Sequence, residues 1–523
     1  MQITLFLPEI VLTFMVLAFF FVSLGKPKSG FLQGLALVLS AAAILASVVT
    51  YGQEGSLFLD VYRVDAFSQI FKVLITFGLF LVIYLAPKLT GIEKNLHPEF
   101  YLFLALSSLG LVMLSSAVEL LTILLCLEIS SYAIYIIIPL RKNHEHREQM
   151  EAGIKYILFG AAATGVTLYG MSYIFGLAHT TYLDGLVKVL PSLIQSQPLA
   201  IIGMIMMLCG FFYKLALFPM HFWTPDVYEG ASNETTSFVA TLPKVGAVAL
   251  LIRLVSLTGV DLGQFTWILA TFAVLSMTLG NLSALVQNDI KRLLAYSSIA
   301  HAGYVMLGIL CVNELGLSSA IYYIAGYMLM NLACFYVIYN IAPSGKNVSF
   351  VDLKGLYKNS PLLAFALAVG AFGMAGIPPT IGFTGKFLIF TGAINKGLYA
   401  LVILAVINAG ISAFYYLKMV RAAYSTSGTP MAKINLGFST SLLGFGLILA
   451  IILLGIFPQS FIELSREAIV AIFLFFCAFF YGNNHSFGHC CMAEILKRPQ
   501  ITKESVKCRE WIHLILRLWI DRE

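Results

Sequence analysis

The chain has 523 residues, of which 59% are hydrophobic and only 11% charged, and its mean hydropathy is +0.89. Soluble domains carry about 25% charged residues, so a water-soluble globular protein is excluded and a polytopic membrane protein is implied. No Cys-x-x-Cys pair, Walker motif or glycine-rich nucleotide loop occurs in it, which argues against a redox cofactor held by this chain.

Apolar runs of about 20 residues, the length a helix needs to cross hydrocarbon, recur from end to end. Read in order, fourteen spans are predicted: 3–24, 31–51, 66–87, 100–115, 118–138, 153–176, 199–222, 238–257, 263–286, 293–312, 316–341, 361–391, 395–417 and 436–457. Residues 1–24 have no basic leader and no small-residue cleavage site, so they read as span 1 rather than a signal peptide. One set of alternate loops carries Lys26, Lys28, Lys88, Lys94, Arg141, Lys142, Arg147, Lys155, Lys291, Arg292, Lys346, Lys354, Lys358, Lys418, Arg421 and Lys433; the other carries Arg63, Lys188 and Lys396. The positive-inside rule places the first set in the cytoplasm and the N-terminus outside. Cys126, Cys209, Cys311 and Cys334 sit singly in apolar spans and read as packing residues.

Two spans look broken. In span 7, Pro219 removes a backbone donor and frees the carbonyl of Leu215. Span 12, about 30 residues, is too long for one straight crossing; Pro378 and Pro379 within it free the carbonyls of Met374 and Ala375. Interrupted helices at matching places mark inverted-repeat transporters. The expected organisation is therefore all-α: residues 1–99 for spans 1–3, 100–257 for a first five-helix repeat (spans 4–8), 258–421 for an inverted second repeat (spans 9–13), 422–465 for span 14, and 466–523 as a divergent tail. Two unrelated kinks are the alternative. The tail holds a short apolar stretch, 468–481, and an amphipathic stretch from Arg509; a fifteenth span and a surface helix both remain open for it.

Four ionisable residues fall inside apolar spans: Glu128 in span 5, Lys214 in span 7, Lys244 after Pro243 in span 8, and Lys386 after the break in span 12. Each is costly in hydrocarbon, and such groups pair with one another or mark an ion path. A lysine ammonium can shed its proton when buried, and a nearby carboxylate restores the charge. Moving Glu128 relative to Lys214 would then switch the lysine between holding and releasing a proton. A purely structural Glu128–Lys214 bridge is the alternative, though it leaves Lys244 and Lys386 unexplained. His301, in span 10, reads equally as a water-linked relay between lysines or as a packing histidine. Lys72 and Arg253 lie near span ends and are expected to snorkel to the surface. Asp289, Lys291 and Arg292 read as a solvated interfacial cluster. Asp226, Glu229 and Glu234 read as loop charges, with proton collection at a cytoplasmic mouth as the alternative. His144 and His146, near three glutamates, read as a solvated loop rather than a metal site.

Residues 214–231 (KLALFPMHFWTPDVYEGA), 242–244 (LPK), 289–301 (DIKRLLAYSSIAH) and 376–386 (GIPPTIGFTGK) together resemble the antiporter-like membrane subunits of respiratory complex I. The likeness runs over about residues 1–465, and the tail beyond about 470 departs from it. Within the family, the short fourteen-helix build and the lysine at 386 resemble the N-type members most. The resemblance implies a proton channel of Glu128, Lys214, Lys244 and Lys386 along a central hydrated axis, and His301 stays a candidate relay on the reading of the residues alone. It implies M-like and K-like membrane neighbours in an inner-membrane complex that moves protons outward. It also implies that NADH, FMN, iron–sulfur clusters and quinone belong to partner subunits and that this chain holds no cofactor. Antiporter subunits of the Mrp type and ion-pumping subunits of membrane-bound hydrogenases are the alternatives, and a purely structural scaffold is the non-transport reading.

The charge asymmetry yields a topological test. Single cysteines at Asn143 and Gln197 are expected to react with an impermeant thiol reagent from opposite faces of the membrane. Labelling of both from one face would overturn the fourteen-span map.

Overall fold

A computed structural model describes residues 3–25, 29–142, 146–256, 263–342, 345–426 and 434–480. Asn143, His144 and the amphipathic stretch from Arg509 lie outside the described residues. The chain divides into two units, Met1–Phe473 and Leu474–Glu523, and the following concerns the first.

Thirteen helices among the described residues are long and apolar enough to cross a membrane, and they coincide with thirteen of the predicted spans. The remaining one, span 12, is divided by its break into Pro361–Ala375 and Ile381–Asn395, each of 15 residues and too short to cross alone. Backbone hydrogen bonding without water explains the predominance of helix: only segments that satisfy their own N–H and C=O groups are stable in lipid. The one sheet in the described residues is a hairpin, Gly55–Leu57 paired antiparallel with Tyr62–Val64, in the loop between spans 2 and 3.

Spans 8, 10 and 11 form the core. Asn233–Ser256 is wholly buried, Glu314–Ile341 is buried from Gly316 to Tyr339, and Ile290–Leu310 is almost wholly buried. Around them, spans 1, 2, 6, 9, 13 and 14 turn apolar side chains such as Phe21, Leu158, Ile403 and Phe445 outward, as a lipid-facing shell requires. Interior contact between helices depends on close backbone approach, which small residues permit. At Gly110 an added Cβ would lie 2.7 Å from the amide of Ser130. That approach brings span 4 against span 5, so that the Ser107 and Ser130 hydroxyls meet at 2.9 Å.

Several sequence expectations are corrected. The loop after span 6 contains a helix, Leu183–Ser196, whose Leu186, Val187, Leu190 and Ile194 are buried. The loop after span 7 is also helical, as Thr224–Gly230 and Asn233–Val239. Lys72 and Arg253 do not snorkel. Lys72 forms a buried ion pair with Glu9 at 2.7 Å. Arg253 grips Asp65 through two bonds of 2.9 and 3.0 Å and also donates to the Ser115 carbonyl. Lys291 is fully buried rather than solvated and donates to the Ala231 carbonyl at 2.8 Å. Glu234 is buried as well and accepts from the Gly91 amide. In each case tertiary packing brings a partner from another span or loop to the buried group. Cys126, Cys209, Cys311 and Cys334 are free and buried, as expected of packing residues.

The Asp65–Arg253 pair ties the start of span 3 to span 8. Burial pushes the Asp65 carboxyl up, but the guanidinium and the Ser68 amide outweigh this and hold it below the ordinary carboxylate range. Removing one member strands a buried charge, which costs about 3–5 kcal/mol. Arg253→Met is therefore expected to lower the thermal stability of the detergent-solubilised protein clearly, and Asp65→Asn in the same chain to recover much of the loss. Equal stability of single and double variants would remove the pair from the fold's support.

Candidate proton path

The break in span 7 is sharper than a kink. Pro198–Leu215 ends at a left-handed Ala216 (φ 63°), and helix resumes only at Thr224. Span 12 ends its first half in the same way, at left-handed Gly376 (φ 88°), where glycine's lack of a Cβ makes the conformation inexpensive. Both interruptions carry a cis proline bond, at Phe218–Pro219 and Pro378–Pro379.

The carbonyls that the breaks free are taken by lysines. Lys244 Nζ donates to the Leu215 carbonyl at 2.7 Å. Lys386 Nζ donates to the carbonyls of Met374 and Ala375 at 2.8 and 3.0 Å and lies 4.8 Å from the centre of the Tyr304 ring. Leu215 and Ala375 each immediately precede the left-handed residue, so the two bonds occupy matching places. Lys214 and Lys386 do not: one stands before its break, the other after. The amide of Phe218, also released, donates to Ser276 Oγ of span 9. The three lysines are 2%, 1% and 4% exposed at 214, 244 and 386, so none reaches water along its own stem.

Lys214 contacts Ser130 Oγ at 3.4 Å. Glu128, half-buried two residues earlier on the same helix, instead accepts from Thr164 Oγ1 at 2.5 Å. The two are not in contact as an ion pair, although Glu128 is the carboxylate whose field bears on Lys214. Lys244 joins the Lys214 region directly, because its carbonyl partner is the neighbouring residue, Leu215.

His301 is buried in span 10. Its Nδ1 meets the Tyr323 hydroxyl at 2.6 Å and its Nε2 the Tyr416 hydroxyl at 3.0 Å. Neutral imidazole has one donor and one acceptor nitrogen, so one tyrosine accepts from the ring and the other donates to it. Lys244 and Lys386 both act electrostatically on this ring. Sequence reasoning missed the tyrosines that complete the connection. Tyr323 and Tyr327, whose rings both pack on His301, are four residues apart on one helical face of span 11, and that spacing was the available signal for Tyr323. Beyond Tyr416, the Tyr415 hydroxyl donates to Asn281, and Asn281 to Asn408.

Near the other end of these helices a set of surface charges is paired. Lys155 and Arg292 share Asp226, and Arg292 also bonds Glu229. Among the described residues no three His, Cys, Asp or Glu side chains gather as a metal site.

Comparison with known proteins locates this geometry. Residues 117–412 match the family described as NADH:quinone oxidoreductase/Mrp antiporter, transmembrane. The chain is 46% identical over 469 residues to the protein named NADH-quinone oxidoreductase subunit N 2 of Opitutus terrae, covering 89% of this chain and 98% of that one. The chain belongs to the NADH-quinone oxidoreductase subunit N family. Among solved structures, a chain of respiratory complex I from Thermus thermophilus is 28% identical, with a TM-score of 0.74, covering 88% of this subunit N homologue and 99% of that chain. A chain of the Mrp complex from Dietzia sp. DQ12-45-1b superposes with a TM-score of 0.81 at 18% identity and shares the fold.

If the field of Glu128 keeps Lys214 charged, Glu128→Gln is expected to slow turnover several-fold and Glu128→Asp to retain part of it. The measurement is quinone-coupled NADH oxidation with proton uptake in vesicles. Full pumping by the Gln variant would leave Glu128 a structural role at most.

Proposed function

We propose that this chain is a proton-translocating subunit of an NADH:quinone oxidoreductase, moving protons outward across the cell inner membrane while NADH oxidation and quinone reduction take place in partner subunits. On this reading it holds no redox centre and no cofactor of its own. M-like and K-like membrane subunits flank it, and NADH, FMN, iron–sulfur clusters and quinone belong to the partners. Its N-terminus faces outward and the lysine-rich loops face the cytoplasm.

The observation that carries the reading is the line of ionisable groups within the spans: half-buried Glu128 and buried Lys214, Lys244, His301 and Lys386. Lys214 and Lys244 are joined through adjacent residues at the span 7 break, and the tyrosine-held His301 lies in the fields of Lys244 and Lys386. Lysine suits such a line because it can both hold and release a proton, with no bond to carbon made or broken. The inverted pairing of spans 4–8 with spans 9–13 is part of the proposal, supported by the matching breaks. An antiporter of the Mrp type is the second reading; the fold is common to both, and the sequence relatives favour the oxidoreductase.

Lys386 gives the test. Arginine keeps the charge and can still reach the Met374 and Ala375 carbonyls, but it does not deprotonate in proteins. Lys386→Arg is expected to assemble normally and to lose proton translocation by at least about tenfold, as loss of a proton-transfer group does, close to Lys386→Ala. A structural or purely electrostatic role gives the opposite order, with Arg near wild type. Translocation per NADH oxidised, measured in vesicles holding the assembled complex, decides between them.

A further inference from the structure

The first three spans contain a buried acid–base pair outside the line described above. Glu9 of span 1 is 0% exposed and Lys72 of span 3 is 1% exposed. They meet at 2.7 Å through Glu9 Oε1. The Tyr62 hydroxyl, brought in by the hairpin, donates to that same oxygen at 2.5 Å. Glu9 Oε2 is buried with no hydrogen-bond partner. The Lys72 ammonium has no bond beyond its ion pair and stands 5.2 Å from the centre of the Tyr62 ring.

A purely structural ion pair in hydrocarbon is expected to be saturated, since each unpaired lone pair or proton adds to the desolvation cost. The neighbouring Arg253–Asp65 pair meets that expectation at its carboxylate, whose two oxygens are both bonded, one of them also by the Ser68 amide, while Arg253 Nε is left unpaired. Glu9 does not, because both of its partners crowd one oxygen. Buried polar atoms left unpaired in this way call for an explanation.

The pair's position supplies one. Glu9 lies seven residues into its apolar span, and Lys72 seven residues into span 3, both counted from the end that carries the hairpin. Span 1, which carries Glu9, and span 5, which carries Cys126, both pack on span 4. Ser130, the contact of Lys214, lies four residues further along span 5, about 6 Å along the axis on the same helical face. Both Cys126 and Ser130 pack on span 4 at Gly110. The pair therefore sits between Lys214 and the membrane surface bearing the hairpin.

We propose that Glu9 is a second proton-carrying site, on a release route running from Lys214 along the Cys126–Ser130 face toward the hairpin, with Lys72 as its fixed counter-charge. In the resting pair the proton is on Lys72 and Glu9 is a carboxylate. An arriving proton binds at Oε2 and gives a carboxylic acid beside the ammonium. Its departure past Tyr62 restores the carboxylate, so each cycle moves one proton and leaves the pair unchanged. This rests on the proton-translocating reading above.

The decisive variant is the double substitution Glu9→Gln with Lys72→Met, which removes both charges and strands neither. Proton release per NADH oxidised is measured in vesicles with the whole complex, with Lys386→Ala in parallel. Assembled double variant with at least about twofold lower release is the expected result, and wild-type release overturns the proposal. If Lys386→Ala also pumps at the wild-type rate, the translocating reading itself fails; if only the double variant does, the Glu9 site alone fails. Lys72→Arg, which keeps the counter-charge, is expected to retain release. Should the double variant not assemble, infrared difference spectra of working Glu9→Asp and wild-type complex replace it. A carboxylic acid band that shifts between the two supports the site, and spectra without such a shift overturn it.

Discussion

The structure depends on one constraint: a backbone carbonyl released inside hydrocarbon has no water to turn to and needs a donor from the protein. Each break in a span creates such carbonyls, and each is answered by a side chain from elsewhere in the fold. Lys244 answers Leu215, and Lys386 answers Met374 and Ala375. The rule extends beyond the lysines. The Gln69 amide caps the end of span 2 by donating to the carbonyls of Thr50 and Gln53. Arg141 donates to the carbonyls of Glu229, Gly230 and Gly345 and to the side chain of Asn347, tying the loops after spans 5, 7 and 11 together. The buried cations are thus placed by backbone need as much as by carboxylates.

This explains which parts of the path could be read from the sequence. A proline removes the donor of a known carbonyl, four residues before it. Leu215, Met374 and Ala375 were therefore legible as freed groups, and lysines near the prolines were legible as the residues of interest. The partner of Leu215 was not, because Lys244 lies 29 residues further on and reaches it only once span 8 packs against span 7. The same limit hid Glu9–Lys72 and Asp65–Arg253, whose members are joined by tertiary packing. Position in the sequence made Lys72 and Arg253 look like surface residues; packing against spans 1 and 3 buried them. The helix Leu183–Ser196 escaped notice because it is polar on one face and carries Pro191. Apolar length, the signal that located thirteen spans, does not register it.

The two buried pairs of the N-terminal region separate support from chemistry. Arg253 offers a planar fork, and Asp65 meets it with both oxygens, so the carboxylate is closed even though Arg253 Nε is left unpaired. Glu9 and Lys72 use one oxygen between three groups and leave the other open. A pair of the first kind holds helices together and gains nothing from a change of protonation. A pair of the second kind has an unused acceptor at a depth where such an acceptor is expensive.

The same reasoning bears on how the central lysines are anchored. Lys244 and Lys386 rest on neutral carbonyls rather than on carboxylates. An ammonium has three N–H donors and a neutral amine keeps two. Lys386, which serves two carbonyls, and Lys244, which serves one, can each give up a proton and still satisfy every carbonyl they hold. The break therefore stays closed in both states of the lysine, so a proton can pass without exposing unpaired backbone to lipid. An anchoring carboxylate would lack this property: losing the lysine's proton would leave a buried anion uncompensated, at a cost of several kcal/mol. Broken helices and lysines belong together here because the carbonyl freed by the break is an anchor indifferent to whether the proton is present.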